Sequence, residues 1–234
     1  MIRDTGKFIK GLVLAVLFFA ILWVMFQPWF PNENALRAAD RLFNSISKGS
    51  AYYIPDVAKK AEKFQGKDFT VNVKLKSEDT AKQGIKLLTA SGAKASGGGT
   101  DLKIEGDLGK VLTGALADSN ALFKNKDKEI ESKYGFPGKD AVLTWWNLLG
   151  AMIKDLDKQK RFADSKFVSE VMKKGVEPGY NYFGIEPESA SSKIGILVFS
   201  LVFYVIYTLW WGIAILLLFE GFGLQLKAGK KKEV

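Results

Sequence analysis

From Ile194 to Phe219 the chain reads IGILVFSLVFYVIYTLWWGIAILLLF, 26 residues without a charge, bracketed by Lys193 and Glu220. At about 1.5 Å of rise per residue such a helix is about 39 Å long, against about 30 Å of hydrocarbon in a bilayer. A helix that is apolar on every face needs either lipid or a large core around it. A chain of 234 residues that also holds a second apolar run has too little remaining sequence for that core. The stretch therefore predicts a transmembrane helix over 194–219, and with it a membrane protein.

The second apolar run, Gly11 to Phe26, is followed by an aromatic border of Gln27, Pro28, Trp29 and Phe30. A short apolar run behind basic residues also describes a secretory signal. Cleavage needs small residues beyond the run, however, and Pro28, Trp29 and Phe30 stand there instead. Further on, the Ala38-Ala39 pair follows Leu36 and Arg37 and makes a poor cleavage site. We read residues 11–30 as an uncleaved first span.

Charge sets the expected orientation. The net charge of +9 divides into +2 ahead of the first span (Arg3, Lys7 and Lys10 against Asp4), +5 between the spans and +2 from Glu220 onward. Basic residues beside spans favour the cytoplasmic side, so Arg3, Lys7 and Lys10 at one end, and Lys227, Lys230, Lys231 and Lys232 at the other, put both termini there. The same residues suit anionic lipid headgroups. Residues 1–10 then form a cytoplasmic tail, 31–193 an extracytoplasmic domain, and 220–234 a Lys-rich cytoplasmic tail, with a bacterial inner membrane as the expected location. Nucleic acid is the other reading of a basic protein, but no basic stripe with interleaved aromatics is present.

Between the spans the pattern predicts an α+β domain, mostly helical, with a sheet of two or three strands. A helix over about Asn34–Lys48 carries Leu36, Ala39, Phe43 and Ile46 at helical spacing and stops at Gly49. Pro55 starts a second, ending near Gly66. The period then changes: Phe69, Val71, Val73 and Leu75 alternate with Thr70, Asn72 and Lys74, marking a strand with one buried face. Ser77 caps a helix to about Ala90, and Ala93–Ser96 and Thr100–Glu105 form a hairpin around Gly97, Gly98 and Gly99. Asp107 caps the next helix, and KNKDKEIESKYG is solvated helix or loop. Asp140 to about Lys160 is the strongest soluble helix, with Val142, Trp145, Leu149, Met152 and Leu156 in one stripe. A last helix covers about Ser165–Lys174.

Chemistry is scarce. The chain has no cysteine and no histidine, which excludes disulfides, thiolate nucleophiles, imidazole general bases and His-ligated metals or haem. The glycine run at 97–99 leads into a strand and lacks a following Lys-Ser or Lys-Thr, so it reads as a turn and not as a phosphate loop. Asp155 with Asp157, and Glu186 with Glu188, are the carboxylate pairs available for catalysis. Residues two apart on a helix point to different sides, and no segment has calcium-loop spacing. We expect no enzyme activity and no cofactor.

The second span is the more informative surface. Ser200, Tyr204, Tyr207, Thr208 and Trp211 recur along one stripe, and Gly212 stands four residues beyond Thr208. Hydroxyls within a span gain by bonding other helices, and small residues let helices approach. The sequence thus points to a non-catalytic accessory or scaffold subunit of an inner-membrane assembly, docking on other subunits or on copies of itself through this stripe. Two spans around an extracytoplasmic domain also suit a sensory or ligand-binding module that signals through a partner, and the basic domain surface suits a lipid- or envelope-handling protein.

Overall fold

The computed structural model describes residues 2–29 and 33–224. Phe30, Pro31 and the tail lysines Lys227, Lys230, Lys231 and Lys232 lie outside these residues. The chain forms two compact units, Met1–Ile46 with Glu188–Val234, and Ser47–Pro187, divided within one helix.

The first unit is dominated by two long apolar helices, α1 (Thr5–Met25) and α10 (Ile194–Gly221), which pack antiparallel along their length. Both are long and apolar enough to cross a membrane. Asp4 caps α1 by accepting from Lys7 N at 3.0 Å. At the other end Gln27 Nε2 donates to Trp23 O and Trp29 Nε1 to Val24 O, so side chains satisfy carbonyls that the helix end leaves open. Helix α2 (Ala35–Ser50) follows, with Asn34 Oδ1 accepting from Arg37 N. Leu36 and Phe43, which the spacing places inward, are 40% and 46% exposed, while Ser45 and Lys48 are buried. Period alone gives a helix a face; which face is covered depends on what meets it.

The second unit is mostly helical with a three-stranded antiparallel sheet. Helix α3 (Ile54–Ala61) starts on Pro55 and tightens into a 3₁₀ turn at Glu62–Phe64. Strand β1 (Asp68–Lys74) alternates exposed and buried side chains as its sequence predicts. Helix α4 (Glu78–Ala90) begins where Ser77 Oγ accepts from Thr80 N. Strands β2 (Lys94–Gly98) and β3 (Asp101–Asp107) form the hairpin, and the sheet order is β1-β3-β2, with Val71 and Ala95 both opposite Ile104. At the turn Gly97 has φ of 146°, and a Cβ there would stand 2.2 Å from Asp101 O, so the glycine run is structural at that position.

Asp107 ends β3 and opens α5 (Leu108–Phe123): Oδ1 accepts from Lys110 N and Oδ2 from Gly66 N, fixing the helix start to the turn before β1. The charged segment forms a short helix, α6 (Asp127–Tyr134), closed by Gly135 in the left-handed conformation. Helix α7 (Gly138–Lys158) supplies the centre of the core through Trp145, Leu148, Leu149, Met152 and Leu156, all 0% exposed, packed with Leu108, Leu112 and Leu122 of α5. Helix α8 (Phe162–Val171) passes through a π turn at Met172–Val176 into α9 (Glu177–Asn181), whose first turn holds Pro178, where a missing N–H costs nothing.

Candidate functional site

Two surfaces are candidates, one on each unit. On the helical pair, glycines decide which faces meet. A Cβ on Gly11 would stand 2.8 Å from Leu218 N and 3.0 Å from Ala214 O, and one on Gly221 would stand 2.7 Å from Phe8 Cα. Backbone therefore touches backbone at both positions, and Ala15, Phe18 and Ala214 are buried between the helices. Higher up, the Phe18 ring stacks on Tyr207 at 4.0 Å and on Trp211 at 4.6 Å, and Trp210 Nε1 donates to Leu14 O. Lys7 pairs with Glu220 at 2.8 Å, and Arg3 N donates to Gly221 O at 2.8 Å. Lys10 is exposed.

The polar stripe of α10 divides on this frame. Tyr207 and Trp211 stack on Phe18 of α1, and the Tyr207 hydroxyl is buried without a hydrogen-bond partner among the described residues. Ser200 is half-buried and closes its hydroxyl on Ile196 O. Tyr204, Thr208 and Gly212 lie on the outward side. Tyr204 is 64% exposed, the Thr208 hydroxyl donates back within its own helix to Tyr204 O and Val205 O, and nothing stands within 4 Å of a Cβ placed on Gly212. The six residues thus do not share one contact: part of the stripe is consumed inside the chain and part is left open.

In the second unit a groove of about 950 Å³ runs between the β1 edge of the sheet and α7, and extends past the hairpin. Val73, Leu75, Leu102 and the half-buried Trp146 give it apolar walls. Lys74, Lys76, Lys154 and Lys158 stand around it, all exposed and none in an ion pair among the described residues. Lys103, at the far side, pairs with Glu105. The acids at the rim are Asp101 and Asp155.

The carboxylates singled out for catalysis are occupied separately. Asp155 Oδ2 accepts from Asn72 N at 3.0 Å and from Gln159 Nε2 at 2.8 Å, whereas Asp157 Oδ1 accepts from Ser165 Oγ. Glu186 accepts from Asn125 Nδ2 at 2.8 Å and Glu188 pairs with Lys193 at 3.2 Å.

Three buried charges escaped sequence reasoning. Asp118, 4% exposed, accepts through Oδ2 from Tyr134 Oη at 2.7 Å and Trp145 Nε1 at 2.8 Å, and its Oδ1 lies 3.2 Å from Lys133 Nζ. Burial, with the Asp118 hydrogen bond and charge behind it, pushes the Tyr134 hydroxyl pKa well up. Asp164 is also buried, which by itself would raise its pKa; donation from Lys67 and Arg161 outweighs that and holds the carboxyl below its ordinary range. Lys48 Nζ donates to Ile185 O at 2.5 Å and Tyr182 O at 3.1 Å, over the Phe123 ring, and burial lowers its pKa against the opposing pull of Glu186. A signal existed for Asp118: it stands three residues after Ala115 and four before Leu122, on the apolar stripe of α5, where an acid needs partners. Each of these buried charges has its polar partners within the chain. Among the described residues no three acidic side chains gather as a metal site would need.

Compared with protein families, with curated proteins and with solved structures, the chain matches none.

Proposed function

We propose that the chain is a non-catalytic accessory or scaffold subunit of an inner-membrane assembly. In this reading α1 and α10 cross the bilayer as a hairpin, both ends are cytoplasmic, and the Ser47–Pro187 unit is extracytoplasmic. The antiparallel pairing supports it, since Arg3 and Gly221 meet at one end and both termini therefore leave the hairpin on the same side. So does the exposure of Leu201, Phe199 and Val16 on the outward faces, at 64%, 66% and 60%, a surface that lipid stabilises and water does not.

The observation that carries docking is the open line Tyr204, Thr208 and Gly212 on α10. With α1 already seated against Tyr207, Ala214 and Gly221, a notch at Gly212 flanked by two hydroxyl-bearing residues is the surface a further helix fits, by close approach and interhelical hydrogen bonding. Purification in mild detergent followed by mass measurement tests this. The expected result is an oligomer or a co-purifying subunit, and loss of that association in Gly212→Leu, which fills the notch and leaves the α1 contact untouched. A monodisperse single chain, or a Gly212→Leu variant that associates like the parent, refutes the proposal.

A further inference from the structure

Strand β1 is an edge strand, and α7 is built to cover part of that edge. Asp68 O accepts from Arg161 Nη2 at 3.1 Å, Thr70 O from Gln159 Nε2 at 2.9 Å, and Asn72 N donates to Asp155 Oδ2 at 3.0 Å. Every second residue of β1 thus turns its main-chain groups away from β3 and toward a side chain at the end of α7 or just beyond it. The pairing has a register: two residues along the strand, about 6.6 Å, match one step of four residues along the helix, about 6 Å. Gln159 meets Thr70 and Asp155 meets Asn72, so the next pair is residue 151 with Lys74.

Residue 151 is alanine, and Gly150 stands beside it. Neither has a polar side-chain atom to offer, and no side chain among the described residues bonds the main chain of Lys74. The groove opens at this point, lined by Lys74, Gly150 and Ala151. A strand edge whose N–H and C=O groups are free invites the main chain of an extended peptide. The surrounding charge selects which one: Lys74, Lys76, Lys154 and Lys158 crowd the opening without ion-pair partners among the described residues, and Asp155 is already engaged.

We infer that this groove binds an extended acidic peptide segment, which adds to the open end of β1 at Lys74, places carboxylates among Lys76, Lys154 and Lys158, and lays an apolar side chain against Trp146. The volume of about 950 Å³ accommodates a short segment and not a folded element. The inference concerns the Ser47–Pro187 unit alone and does not rest on the membrane reading.

The test uses the full chain in zwitterionic detergent and a fluorescein-tagged hexapeptide of alternating glutamate and valine, followed by anisotropy. Saturable binding that weakens with salt is expected. Lys154→Glu with Lys158→Glu, both exposed, should weaken it at least about tenfold, as should Ala151→Gln, which supplies the amide that the register calls for and closes the edge. A hexapeptide N-methylated on alternate amides should lose binding by a similar factor, because it cannot complete the strand. Three outcomes overturn the inference: no saturable binding up to about 1 mM, a range weaker than specific recognition needs; unchanged affinity in the double charge reversal; or inorganic phosphate and the N-methylated peptide competing as well as the parent peptide, which leaves a simple anion site. Unfolding curves of the variants that match the parent ensure that a loss is read at the groove.

Discussion

Replacing Asp118 by alanine removes one carboxylate and strands two buried donors. Tyr134 Oη and Trp145 Nε1 both bond the same oxygen, Oδ2, at 2.7 and 2.8 Å, and Tyr134 and Trp145 are 5% and 0% exposed, so water cannot take the place of the carboxylate. An unsatisfied buried donor costs about 1–3 kcal/mol, which puts the pair at about 2–6 kcal/mol. The Lys133 contact adds little, since its side chain is 46% exposed and such pairs are worth about 0–1 kcal/mol. Against a typical stability of about 5–15 kcal/mol, the loss is large. Asp118→Asn keeps the volume and can set its amide oxygen where Oδ2 accepts from both donors, so it loses the charge on those two bonds and not the bonds themselves, and should cost about 1–3 kcal/mol. Tyr134→Phe separates hydrogen bonding from packing: in that background only Trp145 is stranded by Asp118→Ala, so the cost of the alanine falls by about 1–3 kcal/mol. Urea unfolding of the full chain in detergent, followed by near-ultraviolet circular dichroism, measures the parent and all four variants. If Asp118→Ala lies within about 0.5 kcal/mol of the parent, the size of an ordinary surface substitution, or costs the same with and without the Tyr134 hydroxyl, the carboxylate is not the acceptor described here.

Further outcomes follow from other contacts. A Cβ on Gly221 would stand 2.7 Å from Phe8 Cα, so Gly221→Leu must push the α1 and α10 backbones apart and should cost about 1–3 kcal/mol in unfolding of the full chain in detergent; stability equal to the parent refutes the α1–α10 register. Asp164 links stability to acid. Its folded pKa is depressed below the ordinary 3.8, so its contribution is complete above that value and is lost as pH falls through the folded one. Asp164→Asn should therefore be less stable near neutrality and show a shallower acid limb below about pH 4; equal slopes in the two proteins refute the linkage.

The sequence by itself determined what local chemistry controls. Charge-free length marks the two apolar helices, alternation marks β1, and Ser77 and Asp107 announce helix starts that the structure shows capped by those side chains. The glycine run at 97–99 is legible because a two-strand turn with positive φ admits little else. These are signals within a few residues, set by backbone geometry and by whether an apolar side chain has a partner other than water.

Tertiary structure alone decided which of two similar faces is covered. Leu36 and Phe43 sit at good helical spacing and end exposed, because nothing in α2 specifies what will meet it. On α10 the stripe from Ser200 to Gly212 splits, since the small residues Gly11, Ala214 and Gly221 let the backbones close on a neighbouring face and draw Tyr207 and Trp211 inward. The groove was invisible for the same reason. That Ala151 stands opposite Lys74 follows from the register of a helix against a strand more than seventy residues away in sequence, and no local period encodes it.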